Sequence, residues 1–228
     1  MTTKKNSREA AYETIQQLIL STQIRPGERI TENALSSQLG IGRTPVREAL
    51  TQLEQEGLIV TTNGRKKVYV LTVREVKEIF DTKIALESAI IRWAAEKGDK
   101  KDRQLLGRII GEMKTLAQQR PADDQAREHY LSQWLVKDRQ LHEIIFRMAD
   151  NQKAEEFIKK LNTQWHRLRV TVYALEGRIV KSAEEHEEFV RHIIQPDPPA
   201  AEEAMKSHLE NLKKELIKAM QLFHYPEA

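Results

Sequence analysis

Along most of the chain, apolar side chains recur at helical spacing, and only one short region is rich in strand formers. Ala11, Ile15, Leu18 and Ile19 share one face of a helix predicted from Ser7 to Thr22. Arg25-Pro26-Gly27-Glu28 then breaks the pattern as a turn. Arg29-Ile30-Thr31 reads as a very short strand. The Thr31 hydroxyl is placed to N-cap a second helix, with Leu35 and Leu39 on its inner face and Gly40 at its end. A third helix is predicted with Thr44 as N-cap, Pro45 at the first helical position, and Val46, Ala49, Leu50 and Leu53 facing inward. Leu58 to Thr62 and Val68 to Leu71 are β-rich runs. Between them Asn63-Gly64-Arg65-Lys66-Lys67 is a hairpin signal carrying three cations.

From Val73 onward the period is that of helices, with no convincing strand alternation. Six are predicted, over 73–97, 101–119, 122–149, 152–175, 178–195 and 199–224, punctuated by Gly98, Pro121, Gly177 and Pro196-Asp197-Pro198-Pro199. Such a run folds as an antiparallel helical bundle, whose ligand sites lie between facing helices. The expected protein is therefore mainly α, with residues 1–72 as one domain and residues 73–228 as another.

Composition narrows the function. The 228 residues contain no cysteine, which excludes disulfides, thiolate zinc sites and cysteine nucleophiles. No stretch approaches the ~18 uninterrupted apolar residues of a membrane span, and Met1 to Arg8 is not a signal peptide, which points to the cytoplasm. The net charge of +3 becomes informative once it is divided. Residues 1–72 hold ten basic and seven acidic side chains, while the remainder holds 27 of each. The whole excess lies in the first domain, as in a nucleic-acid module attached to a neutral one.

The placement of the cations is sharper than their number. Arg43, Thr44 and Arg47 surround the start of the third helix and point outward; Arg65, Lys66 and Lys67 follow in the hairpin. Helix, glycine-containing turn, arginine-bearing helix and basic hairpin occur in the order of a winged helix-turn-helix. Its third helix fits the major groove, where arginine pairs with guanine O6 and N7, and hairpin cations reach flanking phosphates. The bland alternative is a small helical domain with a solvated basic hairpin.

In the bundle the informative residues are polar ones on apolar stripes. Asp138 lies on the Trp134, Leu141, Ile145 face, and His142 stands one turn later at its margin. His186 lies among Ile179, Phe189, Val190 and Ile193, and His208 among Ala201, Ala204, Met205 and Leu212. His129, His166 and His192 fall on polar faces. A single inward histidine is more often a satisfied core residue than a ligand. Four converging groups make a three-histidine, one-carboxylate set suited to zinc, nickel or manganese. Lys83 and Glu87, four apart, interrupt the Val76, Ile79, Phe80, Ile90, Ala94 stripe. They read either as an ion pair closed on itself or as groups facing an anionic effector. Arg169, near the edge of its own stripe, is a further anion contact.

Pro26-Gly27-Glu28, Leu35, the run Arg43-Thr44-Pro45-Val46-Arg47-Glu48-Ala49-Leu50, Leu53, Glu56-Gly57-Leu58 and Asn63-Gly64 resemble the GntR family of bacterial transcription regulators. The resemblance implies that Arg43, Thr44, Arg47 and Gly64 contact an operator. Gly42 departs from it, since the family usually has serine there to start the recognition helix or touch a phosphate. Asp138-x-x-x-His142, His186 within Glu184-Glu185-His186, and His208 resemble the FadR-type C-terminal domain of the same family, often called FCD. That implies a divalent metal on these four residues. Six helices rather than seven place the chain nearer the VanR-like branch. The family often has arginine where Lys83 stands, contacting an effector carboxylate; lysine keeps the charge without the bidentate geometry.

The reading favoured is a ligand-responsive regulator, not an enzyme. It is a homodimer repressing from a pseudo-palindromic operator on double-stranded DNA, with a small carboxylate effector in a metal-containing bundle and no membrane partner. Two others stay open: a metal-dependent hydrolase using the bundle site, and an architectural DNA binder that responds to no ligand.

Overall fold

A computed structural model describes residues 7–21, 23–173, 177–222 and 224–227; for residue 124 and residues 164–173 only the backbone is described. Thr22, the predicted end of the first helix, lies outside the described residues. The chain divides into two compact units that part between Thr72 and Val73, with 162–167 grouped with the first.

The first unit contains α1 (Ser7–Leu20), β1 (Arg29–Ile30), α2 (Glu32–Leu39), α3 (Arg43–Gln55), β2 (Ile59–Thr62) and β3 (Arg65–Val68). Ala11, Ile15 and Ile19 of α1, Leu35 of α2, and Val46, Ala49, Leu50 and Leu53 of α3 are buried together with Leu58, Ile59 and Val68. Fully burying each large aliphatic side chain contributes roughly 1.5–3 kcal/mol, so this shared core holds the three helices together. Local chemistry sets the helix ends. Thr31 Oγ1 accepts from Ala34 N at 3.3 Å, and Gly40 stops α2 in the left-handed conformation with φ 65°.

Two local expectations are corrected. The third helix starts at Arg43 with Gly42 as its N-cap, so Thr44 lies inside the first turn and is not the cap. The first turn of any helix has N–H groups without intrahelical acceptors, so proline fits at several of its positions and does not fix the start. Gly42 supplies no side-chain cap, in keeping with the departure from serine. The hairpin is also tighter than predicted. Asn63 and Gly64 both have positive φ, 51° and 70°, and turn the chain within two residues. Arg65, Lys66 and Lys67 therefore belong to β3 rather than to a loop. β3 pairs antiparallel with β2, Thr62 opposite Arg65 and Ile59 opposite Val68, and with β1 on its other side.

The second unit contains α4 (Val73–Lys97), α5 (Lys100–Ala117), α6 (Asp124–Ala149), α7 (Gln152–Tyr173) apart from 162–167, α8 (Arg178–Ile194) and α9 (Pro198–Leu222). Asp99 and Asp123 cap α5 and α6, each accepting a backbone N–H at 2.7 Å. The first N–H groups of α4 are taken by the C-terminal tail, Val73 N to Pro226 O at 2.8 Å and Arg74 N to Glu227 O at 3.1 Å. Phe80, Ile90, Leu106, Met113, Trp134, Leu141, Phe189, Ile193 and Met205 are among the residues filling the bundle. Among the described residues the buried polar groups are Lys83, Glu87, Ser88, Asp138, Arg178, Ser182, His186 and His208. Burying a polar or charged group is costly unless it is partnered, so these side chains demand an account. No described helix is long and apolar enough to cross a membrane.

Candidate metal centre and candidate nucleic-acid interface

Asp138 and His142 are one turn apart on α6, and α8 brings His186 against them. One ligand atom from each of the three lies within 4.8 Å of the other two. His186 Nε2 is 2.9 Å from Asp138 Oδ1, and His142 Nε2 is 3.9 Å from the same oxygen. His208 of α9 lies outside that close trio but stacks beside it. Its ring centroid is 4.7 Å from that of His186, nearly perpendicular, and Phe189 closes over both rings.

The surrounding hydrogen bonds set the tautomers. His186 Nδ1 lies 2.6 Å from the carbonyl oxygen of Ser182, one turn earlier on α8, so Nδ1 carries the donated hydrogen. His186 Nε2 meets Asp138 Oδ1 at hydrogen-bonding distance, and with Nδ1–H engaged by Ser182 a neutral ring would turn its Nε2 lone pair toward a cation shared with that carboxylate. That arrangement suits a cation held between the two atoms. His208 Nδ1 is 2.8 Å from Glu185 Oε2. Burial pushes the Glu185 carboxyl up, but hydrogen bonds from His208 and Arg178 and the charge of the Arg178 guanidinium hold it well below the usual carboxylate range. Glu185 is therefore an anion that accepts the Nδ1–H, and the Nε2 of His208 is left as its basic nitrogen. Burial lowers His208 to about 3 and His142 to about 4, so both rings are neutral at pH 7, the form that ligates metal. The donor set and its supporting hydrogen bonds fit a divalent transition metal.

Lys83 and Glu87 of α4 form an ion pair whose side chains are only 2% and 5% exposed. Burial pushes the Glu87 carboxyl up, but the Lys83 ammonium outweighs it, so the pair is ionic. Lys83 and Glu87 pair with each other, and their burial sets the pair apart from an exposed helix pair. Arg169, the remaining effector candidate, lies on α7 where side chains are outside the described residues, as do those of Arg167 and His166. His129 is exposed and His192 half-buried.

Sequence reasoning missed three supports: Ser182, Glu185 and Arg178. Arg178 is buried, with Nη2 2.9 Å from Glu185 Oε2 and Nε 3.0 Å from Glu215 Oε2. Ser182 was detectable as the residue one helical turn before His186. The contact of Glu185 with His208 crosses two helices and leaves no local signal.

In the first unit, Arg43, Thr44 and Arg47 are exposed on the same end of α3. Arg47 Nε faces the carboxylate of Glu32, at 3.1 and 3.3 Å from its two oxygens, and Arg43 donates to Asn33 Oδ1, from Nε at 2.6 Å. Gly64 and Arg65 are exposed in the wing; Lys66 is half-buried and paired with Glu54. The Glu54 carboxyl is accordingly held below its usual range by Lys66 and Thr61.

A winged helix-turn-helix followed by a helical bundle with a buried histidine–carboxylate cluster defines a class of DNA-binding regulators. The model for "Bacterial regulatory proteins, gntR family" matches residues 7–70, and that for the FCD domain matches residues 78–211. The chain belongs to the gntR family, in the group that carries an FCD domain. It is similar to the Uxu operon transcriptional regulator of Escherichia coli (strain K12), 26% identical with 89% of this chain and 84% of that one covered. It is likewise similar to the gluconate operon transcriptional repressor of Bacillus subtilis (strain 168), 26% identical with 79% and 68% covered. The solved structure of E. coli McbR/YncC has the same fold, with TM-score 0.73, 18% identity, and 93% and 98% of the two chains covered. The protein is a DNA-binding transcriptional regulator, and the hydrolase alternative is set aside.

Proposed function

We propose that the protein represses transcription as a homodimer on a pseudo-palindromic operator. In this reading a small carboxylate, bound in a metal-containing bundle pocket, changes its affinity for DNA. The observation that carries the proposal is the cluster of buried Asp138, half-buried His142 and buried His186, supported by Ser182, with His142 electrostatically coupled to the buried Lys83–Glu87 pair. Asp138, His142, His186 and His208 would hold the metal through one carboxylate oxygen and the imidazole nitrogens. Zinc, nickel and manganese all suit that set. When bound, the metal would supply a Lewis-acid contact for a carboxylate oxygen. Lys83 supplies fixed positive charge for the same anion, and Glu87 accepts from a hydroxyl next to it. The name of the gluconate operon relative agrees with a sugar-acid class of effector.

On the DNA side, Arg43, Thr44 and Arg47 enter the major groove, and Gly64, Arg65 and Lys66 meet the flanking backbone. Lys66 then exchanges Glu54 for phosphate. The effector changes operator affinity only through its different affinity for the two states of the protein.

A thermal-shift screen of small carboxylates and sugar acids, with and without chelator, tests the pocket. One or more acids should raise Tm by about 3–8 °C at saturating concentration, and chelation should remove the effect. If no acid shifts Tm, the regulator acts without a carboxylate effector.

A further inference from the structure

The reading arginines of α3 are each held by a residue of α2 that the sequence did not single out. Glu32 and Asn33 occupy the first turn of α2, directly after the Thr31 cap. Glu32 grips Arg47 through Nε alone. The two terminal NH2 groups of Arg47 have no partner among the described residues, and together they can make an end-on bidentate contact to guanine O6 and N7. Asn33 Oδ1 takes Nε and Nη2 of Arg43, leaving Nη1 of the arginine and its own Nδ2 as neighbouring donors.

We propose that Glu32 and Asn33 are positioning residues that set operator specificity. They fix the pose of Arg47 and Arg43, and Glu32 also offsets the attraction of Arg47 for any phosphate. The inference rests on DNA reading by Arg47, and goes beyond it by assigning the discrimination to α2. A free arginine on a helix surface samples many rotamers and binds phosphate wherever it meets it. That contact adds affinity without sequence information. With Glu32 beside it, Arg47 carries less net field toward a uniform backbone. Its fork already points outward, so a guanine edge in register recovers what a phosphate alone does not. Specificity is a difference of affinities, and an anion next to the reading cation enlarges that difference by weakening the wrong complexes.

The experiment uses the full chain and fluorescence anisotropy. Labelled DNA comes from the promoter region of the protein's own gene, with a scrambled duplex of equal composition as control, across a salt series. Glu32→Gln keeps the size and hydrogen-bonding capacity while removing the charge. It should tighten binding to scrambled DNA by about threefold to tenfold and steepen the logarithmic salt slope by about one unit. The operator-to-scrambled ratio should fall by about tenfold. Asn33→Ala should weaken operator binding by about tenfold without steepening the slope. In an Arg47→Ala background, Glu32→Gln should change the ratio by less than about twofold, because its effect runs through that side chain. A ratio and slope unchanged by Glu32→Gln in a folded protein, while Arg47→Ala loses specific binding, would overturn the inference alone. If Arg47→Ala keeps full specific binding, the base-reading assignment fails and this inference with it.

Discussion

Arg47→Ala is expected to abolish sequence-specific DNA binding while leaving the fold intact. The side chain of Arg47 is 63% exposed, and its ion pair with Glu32 lies on the surface. Exposed pairs of this kind contribute about 0–1 kcal/mol, so the melting temperature should change little. Binding is a different matter. One bidentate arginine–guanine contact discriminates by about 1–3 kcal/mol, and a two-fold complex makes it twice. The expected loss is about 2–6 kcal/mol, or roughly 30-fold to 10⁴-fold at the operator, against a modest loss on scrambled DNA. Anisotropy on the two duplexes measures both numbers, and circular dichroism melting checks the fold. Undiminished operator binding would show that α3 does not read bases through this residue.

The second large effect is expected at the bundle. Purified protein should carry a divalent metal near one equivalent, and Asp138→Asn should lose it. Asparagine keeps the shape of a fully packed side chain, so the fold survives, but the anionic ligand is gone. Altering groups that merely support a ligand typically costs 10–100-fold in metal affinity, so removing the ligand itself should cost more than about 100-fold. The linkage to stability follows. Metal at 100 times its Kd stabilises by about 2.7 kcal/mol, and in a domain of this size each kcal/mol moves Tm by about 2–4 °C. Chelation should therefore lower the wild-type Tm by roughly 5–11 °C and leave Asp138→Asn unchanged. Elemental analysis decides directly. A stoichiometry near zero in wild type, with no chelator effect on Tm, would favour an architectural DNA binder whose buried histidines are only core residues.

Much of this was legible in the chain because the local signals were strong. Thr31 and Gly40 bound α2 by capping chemistry that acts within a few residues, and both were read from sequence. The six bundle helices appear near their predicted limits because apolar stripes end there, at proline or glycine stops or, between α6 and α7, at Asp150 in the left-handed conformation. Asp138, His186 and His208 could be placed inside because each sits on its own helix's apolar face, and His142, read at the margin of its face, is half-buried. What failed depended on context. Thr44-Pro45 fits several positions of a first turn, so the start of α3 shifted to Arg43. Three consecutive cations look like a loop, yet the Asn63-Gly64 turn closes in two residues and draws them into β3. Glu32, Asn33 and Glu185 act through partners 15, 10 and 23 residues away, which no periodicity reveals.

In the proposed function, occupancy of the bundle governs DNA binding. Its most direct test is operator affinity, measured by anisotropy on the metal-loaded full chain, with and without the carboxylate that most raises Tm. A change of about fivefold or more, absent in Asp138→Asn, is the predicted result. An operator affinity that stays the same when that carboxylate saturates the protein would contradict the account.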